Sequence, residues 1–294
     1  MSDLFSVSPA SILGIDGHAH VFSRELDLTS ARRYSPEYDA TLAMYRDQLH
    51  QHGLSHGVLV QPSFLGTDNR YLLDALQQAP DQLRGVVVVD RDISRAALDE
   101  MDRLGVVGVR LNLMAKALPD FSEPQWQVFF GHIAVLDWHV EVHRHVADMP
   151  ALLAGLMPFG MKIVIDHFGR PDARLGLNQP GFPQMLELGR SGQLWMKVSG
   201  IYRLEGSAQE NLDFARAALS LLVDAFGQQR LVWGSDWPHT QHENSVSYSS
   251  VVEQLQALGC SAPLMRSLLI DAPQVLFDFP TTEAFRLTPR VSLR

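Results

Sequence analysis

Four side chains of ligand type stand at the ends of apolar runs. His18 and His20 close Ile15-Asp-Gly-His-Ala-His20, His167 closes Lys162-Ile-Val-Ile-Asp-His167, and Asp236 closes Leu231-Val-Trp-Gly-Ser-Asp236. In an extended strand, residues i and i+2 point to the same side, so His18 and His20 enter one space. Imidazoles can bind zinc and other borderline metals, move protons or donate hydrogen bonds. A carboxylate beside them can take a proton from water. Together these are the components of a hydrolytic site. Each also has an ordinary use: histidines at strand ends can be hydrogen-bonded structural residues, and Asp-Trp-Pro is also turn chemistry.

Cations form a second theme. Arg110 leaves an apolar run in Gly108-Val-Arg-Leu-Asn-Leu, Lys116 follows six residues later, and Arg203 follows Lys197-Val-Ser-Gly-Ile-Tyr. Guanidinium groups pair with carboxylates through two parallel hydrogen bonds. Three such cations near one pocket point to an anionic ligand, although each could equally form a surface ion pair. In Val140-Glu-Val-His-Arg-His145, alternation puts Glu141, His143 and His145 on one side. His50, His52, His56, His132, His139 and His242 have no comparable context and read as surface or packing residues, and His239 is a weaker candidate beside Asp236.

Bringing these residues together requires a particular scaffold. Strands are expected at about 12–16, 57–62, 85–89, 107–113, 139–144, 162–167, 194–199 and 231–235. Continuous runs such as Gly85-Val-Val-Val-Val89 suit strands buried on both faces. Helical periodicity falls between them, at 39–52, 69–79, 94–104, 123–138, 148–157, 183–191 and 208–226, and again over 246–279. Such alternation predicts βαβ units and a parallel sheet, and eight strands predict closure into a (β/α)8 TIM barrel. An open doubly wound sheet is the alternative, but no Gly-x-Gly-x-x-Gly follows the first strand. In a barrel all strand C-terminal ends meet on one face, so residues more than two hundred positions apart would share a pocket. The connections 21–38 and 168–182 leave two of those ends and are lid or specificity candidates.

The chain of 294 residues is 46% hydrophobic and 19% charged, consistent with one barrel domain over 1–294 with a less regular tail at 280–294. A net charge of −9 with no Lys/Arg run argues against nucleic acid as a partner. A single cysteine, Cys260, leaves no intramolecular disulfide or cysteine-based zinc cluster. With no signal-like N-terminus and no apolar stretch of about 18 residues, the expectation is a cytoplasmic protein away from membranes.

These motifs, with Gln61-Pro-Ser-Phe-Leu-Gly-Thr-Asp-Asn69, Asp166-His-Phe-Gly-Arg-Pro-Asp172 and Trp233-Gly-Ser-Asp-Trp-Pro-His239, resemble the amidohydrolase superfamily over about 1–279. Within it the chain looks like the branch that contains 2-pyrone-4,6-dicarboxylate lactonase and related sugar lactonases. The resemblance implies hydrolysis of a small anionic lactone without a required metal. Asp236 would activate water, and His18, His20 and His167 would surround the carbonyl. Arg110, Lys116 and Arg203 would hold substrate carboxylates, with polar contacts from Ser63 and Tyr34. Two positions depart from the pattern: Lys116 stands where arginine is expected, and His143 where tyrosine is expected. A histidine at the fifth strand end is what metal-dependent members use, so His18, His20, His143 and Asp236 could instead bind one zinc or other divalent ion. The alternatives are therefore a mononuclear zinc hydrolase or nonoxidative decarboxylase, and, outside catalysis, a barrel that binds an anion without turnover. Family members include homodimers, but no feature here marks an interface.

Overall fold

The computed structural model describes residues 12–30 and 32–280. Eight parallel strands follow one another around a single sheet: β1 (Ile15–Ala19), β2 (His56–Val60), β3 (Leu83–Val87), β4 (Val106–Asn112), β5 (His139–His143), β6 (Ile163–Ile165), β7 (Leu194–Ser199) and β8 (Leu231–Gly234). Helices α1 (Leu42–Gln51), α2 (Arg70–Gln78), α3 (Arg95–Arg103), α4 (Pro124–Val135), α5 (Met149–Leu156), α6 (Phe182–Gly189) and α7 (Ala208–Phe226) occupy the successive crossovers. Three more, α8 (Tyr248–Ala257), α9 (Ala262–Arg266) and α10 (Ala272–Leu276), follow the last strand. The expected (β/α)8 barrel is present. None of the described helices is long and apolar enough to cross a membrane. Beyond Pro280, the expected tail lies outside the described residues.

Local signals set the helix ends. Thr41 and Ser94 accept backbone N–H groups at the starts of α1 and α3, and Ser207 with Glu210 forms a reciprocal capping box at the start of α7. β1 begins three residues later than its hydrophobicity suggests. Leu13 is exposed, whereas Asp16, His18 and His20 are buried. Apolarity locates β1 poorly because its polar side chains are satisfied inside the protein.

Closure runs through the same motifs that carry the candidate chemistry. The Asp236 N–H donates to the His18 carbonyl at 2.8 Å, and the His20 N–H donates to the Trp237 carbonyl at 2.7 Å. The Asp16 carboxylate accepts the Ser235 N–H at 2.7 Å, the Ser235 hydroxyl at 2.6 Å and the Tyr248 hydroxyl at 3.0 Å. Glycine permits the approach: a Cβ on Gly234 would lie 2.6 Å from the His18 Cβ and 2.7 Å from the His18 nitrogen. Pairing in β1 also shifts register between Asp16 and Ala19.

Inside the barrel, Ile15, Val58, Val86, Val164, Trp195 and Val232 form an apolar floor with Phe277 from beyond α10. The Phe277 ring lies 5.5 Å from that of His139, the first residue of β5. His139, given above a surface or packing role, is buried here. The polar side chains described next stand above this floor.

The close seam makes a direct prediction. Gly234→Ala should destabilise the protein by about 1–3 kcal/mol, the usual range for overpacking. It would lower the urea midpoint with an unchanged slope. A midpoint equal to that of the parent would show that the β1–β8 contact can yield without cost.

Candidate active site

Polar residues point inward from four strands, β1, β4, β5 and β7, and from the loops that leave the strands. At mid-height Lys197 from β7 pairs with Glu141 from β5, and its Nζ lies 3.5 Å from Asp166 Oδ1. Arg110 from β4 donates from Nε and Nη2 to Asp166 Oδ2 at 2.9 and 2.7 Å. All four are buried, as a group of alternating charge must be if each is to find its partner away from water. Burial alone would raise the Glu141 carboxyl, but Lys197 and His139 more than offset it and hold the group low.

Above this layer stands Asp236. Its Oδ2 accepts the Tyr202 hydroxyl at 2.7 Å and is paired with Arg203 Nε. Its Oδ1 faces His18 Nε2 at 3.7 Å and His20 Nε2 at 3.5 Å, and His167 Nε2 lies 3.9 Å from Oδ2. Burial would raise this carboxyl, but Arg203 and His167 dominate and keep it well below the ordinary range. Asp236 is therefore an anion at neutral pH.

The three imidazoles differ in their second contact. His20 Nδ1 lies 2.7 Å from the Val60 carbonyl oxygen. A carbonyl can only accept, so this nitrogen carries a proton. His18 Nδ1 lies 2.8 Å from Lys197 Nζ, and an ammonium can only donate. His167 Nδ1 meets the Ser199 hydroxyl at 2.8 Å, which can do either. Burial pushes His18 and His143 well below the usual imidazole range, and it pushes His167 to about 3 and His239 to about 4.

A cavity of about 330 Å3 opens over Asp236, and His20, His143, His167, Ser63 and Tyr34 reach its wall. Tyr34, on the connection after β1, is held by the Thr240 hydroxyl at 3.0 Å. His143 is 8% exposed, and neither of its ring nitrogens has a hydrogen-bond partner. His18 lies one layer deeper, fully buried and off the wall. Arg110 and Arg203 line the cavity, but Lys116, expected to hold a substrate carboxylate, does not. The chain turns back at this point: the Lys116 N–H bonds to the Leu113 carbonyl, the Lys116 carbonyl accepts Arg144 Nη1 at 2.6 Å, and the side chain is exposed. Arg33 and Arg170 reach the wall instead, from the two long connections, and His242 joins them although its sequence context gave no sign of it.

The expected metal quartet is regrouped. Ligand atoms of His18, His167 and Asp236 lie within 4.8 Å of one another, as do those of His18, Glu141 and Asp166, while His20 and His143 belong to neither group. Lys197, Glu141, Asp166 and Tyr202 received no role from the sequence. A signal was available for two of them: Lys197 is in phase with Ser199 on an apolar strand, and Glu141 is in phase with His143.

Comparison with known proteins places the chain in a family. A 2-pyrone-4,6-dicarboxylate hydrolase of Comamonas testosteroni is 32% identical over 281 residues, covering 90% of this chain and 89% of that protein. A 4-sulfomuconolactone hydrolase of Hydrogenophaga intermedia is 28% identical, covering 89% and 88%. The crystal structure of a Pseudomonas putida protein described as a putative 2-pyrone-4,6-dicarboxylic acid hydrolase superposes with a TM-score of 0.89 at 60% identity, covering 92% of this chain and 100% of that one. The amidohydrolase family model matches residues 15–279, from the first strand to beyond the last helix, and the chain belongs to that family.

Proposed function

We propose that this chain hydrolyses a small anionic lactone, 2-pyrone-4,6-dicarboxylate or a close relative. The observation that carries the reading is one cavity whose wall holds the ionised Asp236 with His20 and His167 and the guanidinium groups of Arg110, Arg170 and Arg203. Ester hydrolysis needs a base and hydrogen-bond donors, and a carboxylate-bearing substrate needs the cations. The substrates named for the two curated relatives are both anionic lactones, which supports the same class here.

In this mechanism the guanidinium groups hold the substrate carboxylates and set the lactone carbonyl over Asp236. Asp236 takes a proton from water as the oxygen attacks. Imidazole and guanidinium N–H groups stabilise the oxyanion as it forms. The ring C–O bond then breaks, and the proton on Asp236 passes to the departing oxygen. Many members of this superfamily employ a divalent ion, but the donors here suit one poorly. His18 Nδ1 already receives the Lys197 ammonium, and Asp236 is engaged by Arg203 and Tyr202. Our reading is therefore metal-free. The proximity of His18, His167 and Asp236 supports a zinc hydrolase or decarboxylase as the alternative.

The deciding experiment is hydrolysis of 2-pyrone-4,6-dicarboxylate and a panel of lactones by chelator-treated protein, with metal content measured on the same sample. Turnover without metal is expected. Activity proportional to one equivalent of zinc would replace this mechanism with the alternative, and silence on every lactone would overturn the substrate class.

Asp236→Asn should lower kcat by about 10²–10⁴-fold, the usual contribution of a general base. It should keep or tighten binding of an unreactive dicarboxylate, because Arg203 loses its competing anion. Near-normal turnover would remove Asp236 from the role of base.

The buried imidazoles set an acid limit on stability. Unfolded, they take protons near pH 6.5, whereas His239 does so near 4 and His167 near 3 in the fold, with His18 and His143 also depressed. Between these values the unfolded chain binds more protons, so stability falls as pH drops, by up to about 1.4 kcal/mol per pH unit for each imidazole. The depressed Asp236 loses its own contribution only below about pH 4. Tm should thus fall steeply from pH 6.5 to 4. A Tm that stays level across this interval would mean that the histidines are charged in the folded protein.

A further inference from the structure

Lys197 is the only buried lysine among the described residues, and it makes no contact with the cavity. Its Nζ lies 6.0 Å from the centre of the Phe277 ring below, and the three polar groups around it are Glu141 Oε1, Asp166 Oδ1 and His18 Nδ1. An ammonium carries three hydrogens and no lone pair, so the two groups hydrogen-bonded to it, Glu141 Oε1 and His18 Nδ1, must both accept. The carboxylate accepts by nature. The ring nitrogen can accept only if its proton is on the other side of the ring, and Asp166 Oδ1, the competing acceptor for a proton on Nδ1, lies farther off at 3.6 Å.

We propose that Lys197 is a positioning residue that fixes His18 with its proton on Nε2, turned towards Asp236, and thereby denies a divalent ion the His18 lone pair that the group of His18, His167 and Asp236 would have to supply. A metal ligand must present a lone pair. His20, whose Nδ1–H is committed to the Val60 carbonyl, presents one at Nε2. His18 presents N–H instead, directed at Asp236 Oδ1 and without any closer partner. The two histidines are alike in sequence but opposite in tautomer, because one rests on a carbonyl and the other on an ammonium. Only one of them can serve as a ligand, while the other serves as a donor to the base. Glu141 has a part in this arrangement, since it holds the ammonium in place from β5, two strands away.

The assignment is independent of the lactonase reading, because it is tested on protein without substrate. In protein labelled with 15N in histidine, long-range 1H–15N spectra show which ring nitrogen carries the proton. The His18 signals are identified by their loss in His18→Gln. The expected result is a bare Nδ1 and a protonated Nε2 in the parent protein, with weak zinc binding by calorimetry. Lys197→Met should bring in the opposite tautomer and tighten zinc binding by about 10–100-fold, the usual size of effects from groups behind a metal ligand. Because this change leaves Glu141 buried without its cation, Lys197→Met/Glu141→Gln provides a neutral pair for the same measurements. A parent His18 with its proton on Nδ1 would overturn the proposal without recourse to any variant. So would zinc binding of equal strength in the parent and the variants.

Discussion

Charge neutrality within a closed barrel is the constraint on which this structure depends. Glu141, Asp166 and Asp236 stand above the apolar floor with Lys197, Arg110 and Arg203, three anions against three cations. Removing one charge would leave its partner buried and unpaired, a change that typically costs about 3–5 kcal/mol. The members come from β4, β5 and β7 and from the turns after β6, β7 and β8, so most of the barrel must be assembled before any of them is satisfied. Packing alone would have been served by aliphatic residues, and apolar replacements for buried ion pairs are often neutral or stabilising. The column is better understood as a device that sets the direction of hydrogen bonds at its top.

Viewed this way, Asp236 at the top of the column and the three imidazoles around it are determined by what lies beneath and beside them. Val60 gives His20 one tautomer and Lys197 gives His18 the other, while Ser199 leaves His167 free to adopt either. A site with one imidazole of each kind can donate to an oxygen, accept from water and change roles during a reaction. The backbone contributes as well. His167, Phe168, Arg170, Asp236 and His239 all have positive φ, between 52° and 64°. Such conformations cost of order 1–3 kcal/mol per residue and tend to gather at functional sites. Here they turn the chain at the strand ends where His167 and Asp236 reach the cavity wall.

Much of this was legible in the sequence, for identifiable reasons. The Val/Ile/Leu runs and the intervening helical periodicity marked seven strands closely, because burial on both faces leaves a continuous apolar signature. β1 was displaced by three residues because its polar side chains are sheltered by partners that the sequence does not show. The strand-end histidines and Asp236 stood out against apolar neighbours. Lys197 did not, since a lysine in a strand ordinarily signals an exposed face, and its inward phase with Ser199 was the only hint. Lys116 misled for the opposite reason. Its distance from Arg110 is right for a second anchor, but the turn held by Arg144 directs it to solvent, and the positive charge arrives from Arg33 and Arg170 on loops whose course sequence patterning does not reveal.

The seam between Asp16 and Ser235 joins residues 219 positions apart. It carries a consequence for how the molecule comes into being. Contacts of such long range are entropically expensive to form early, so they tend to arrive late in folding. During synthesis the first strand, with the two histidines at its end, has β2 on one side but must wait for β8 on the other until nearly the whole barrel has been made. Asp236 and its partners meet only when that last join closes. A nascent or partly folded chain thus holds the components of the site without the site itself, and chemistry begins only once the polypeptide has returned to where it started.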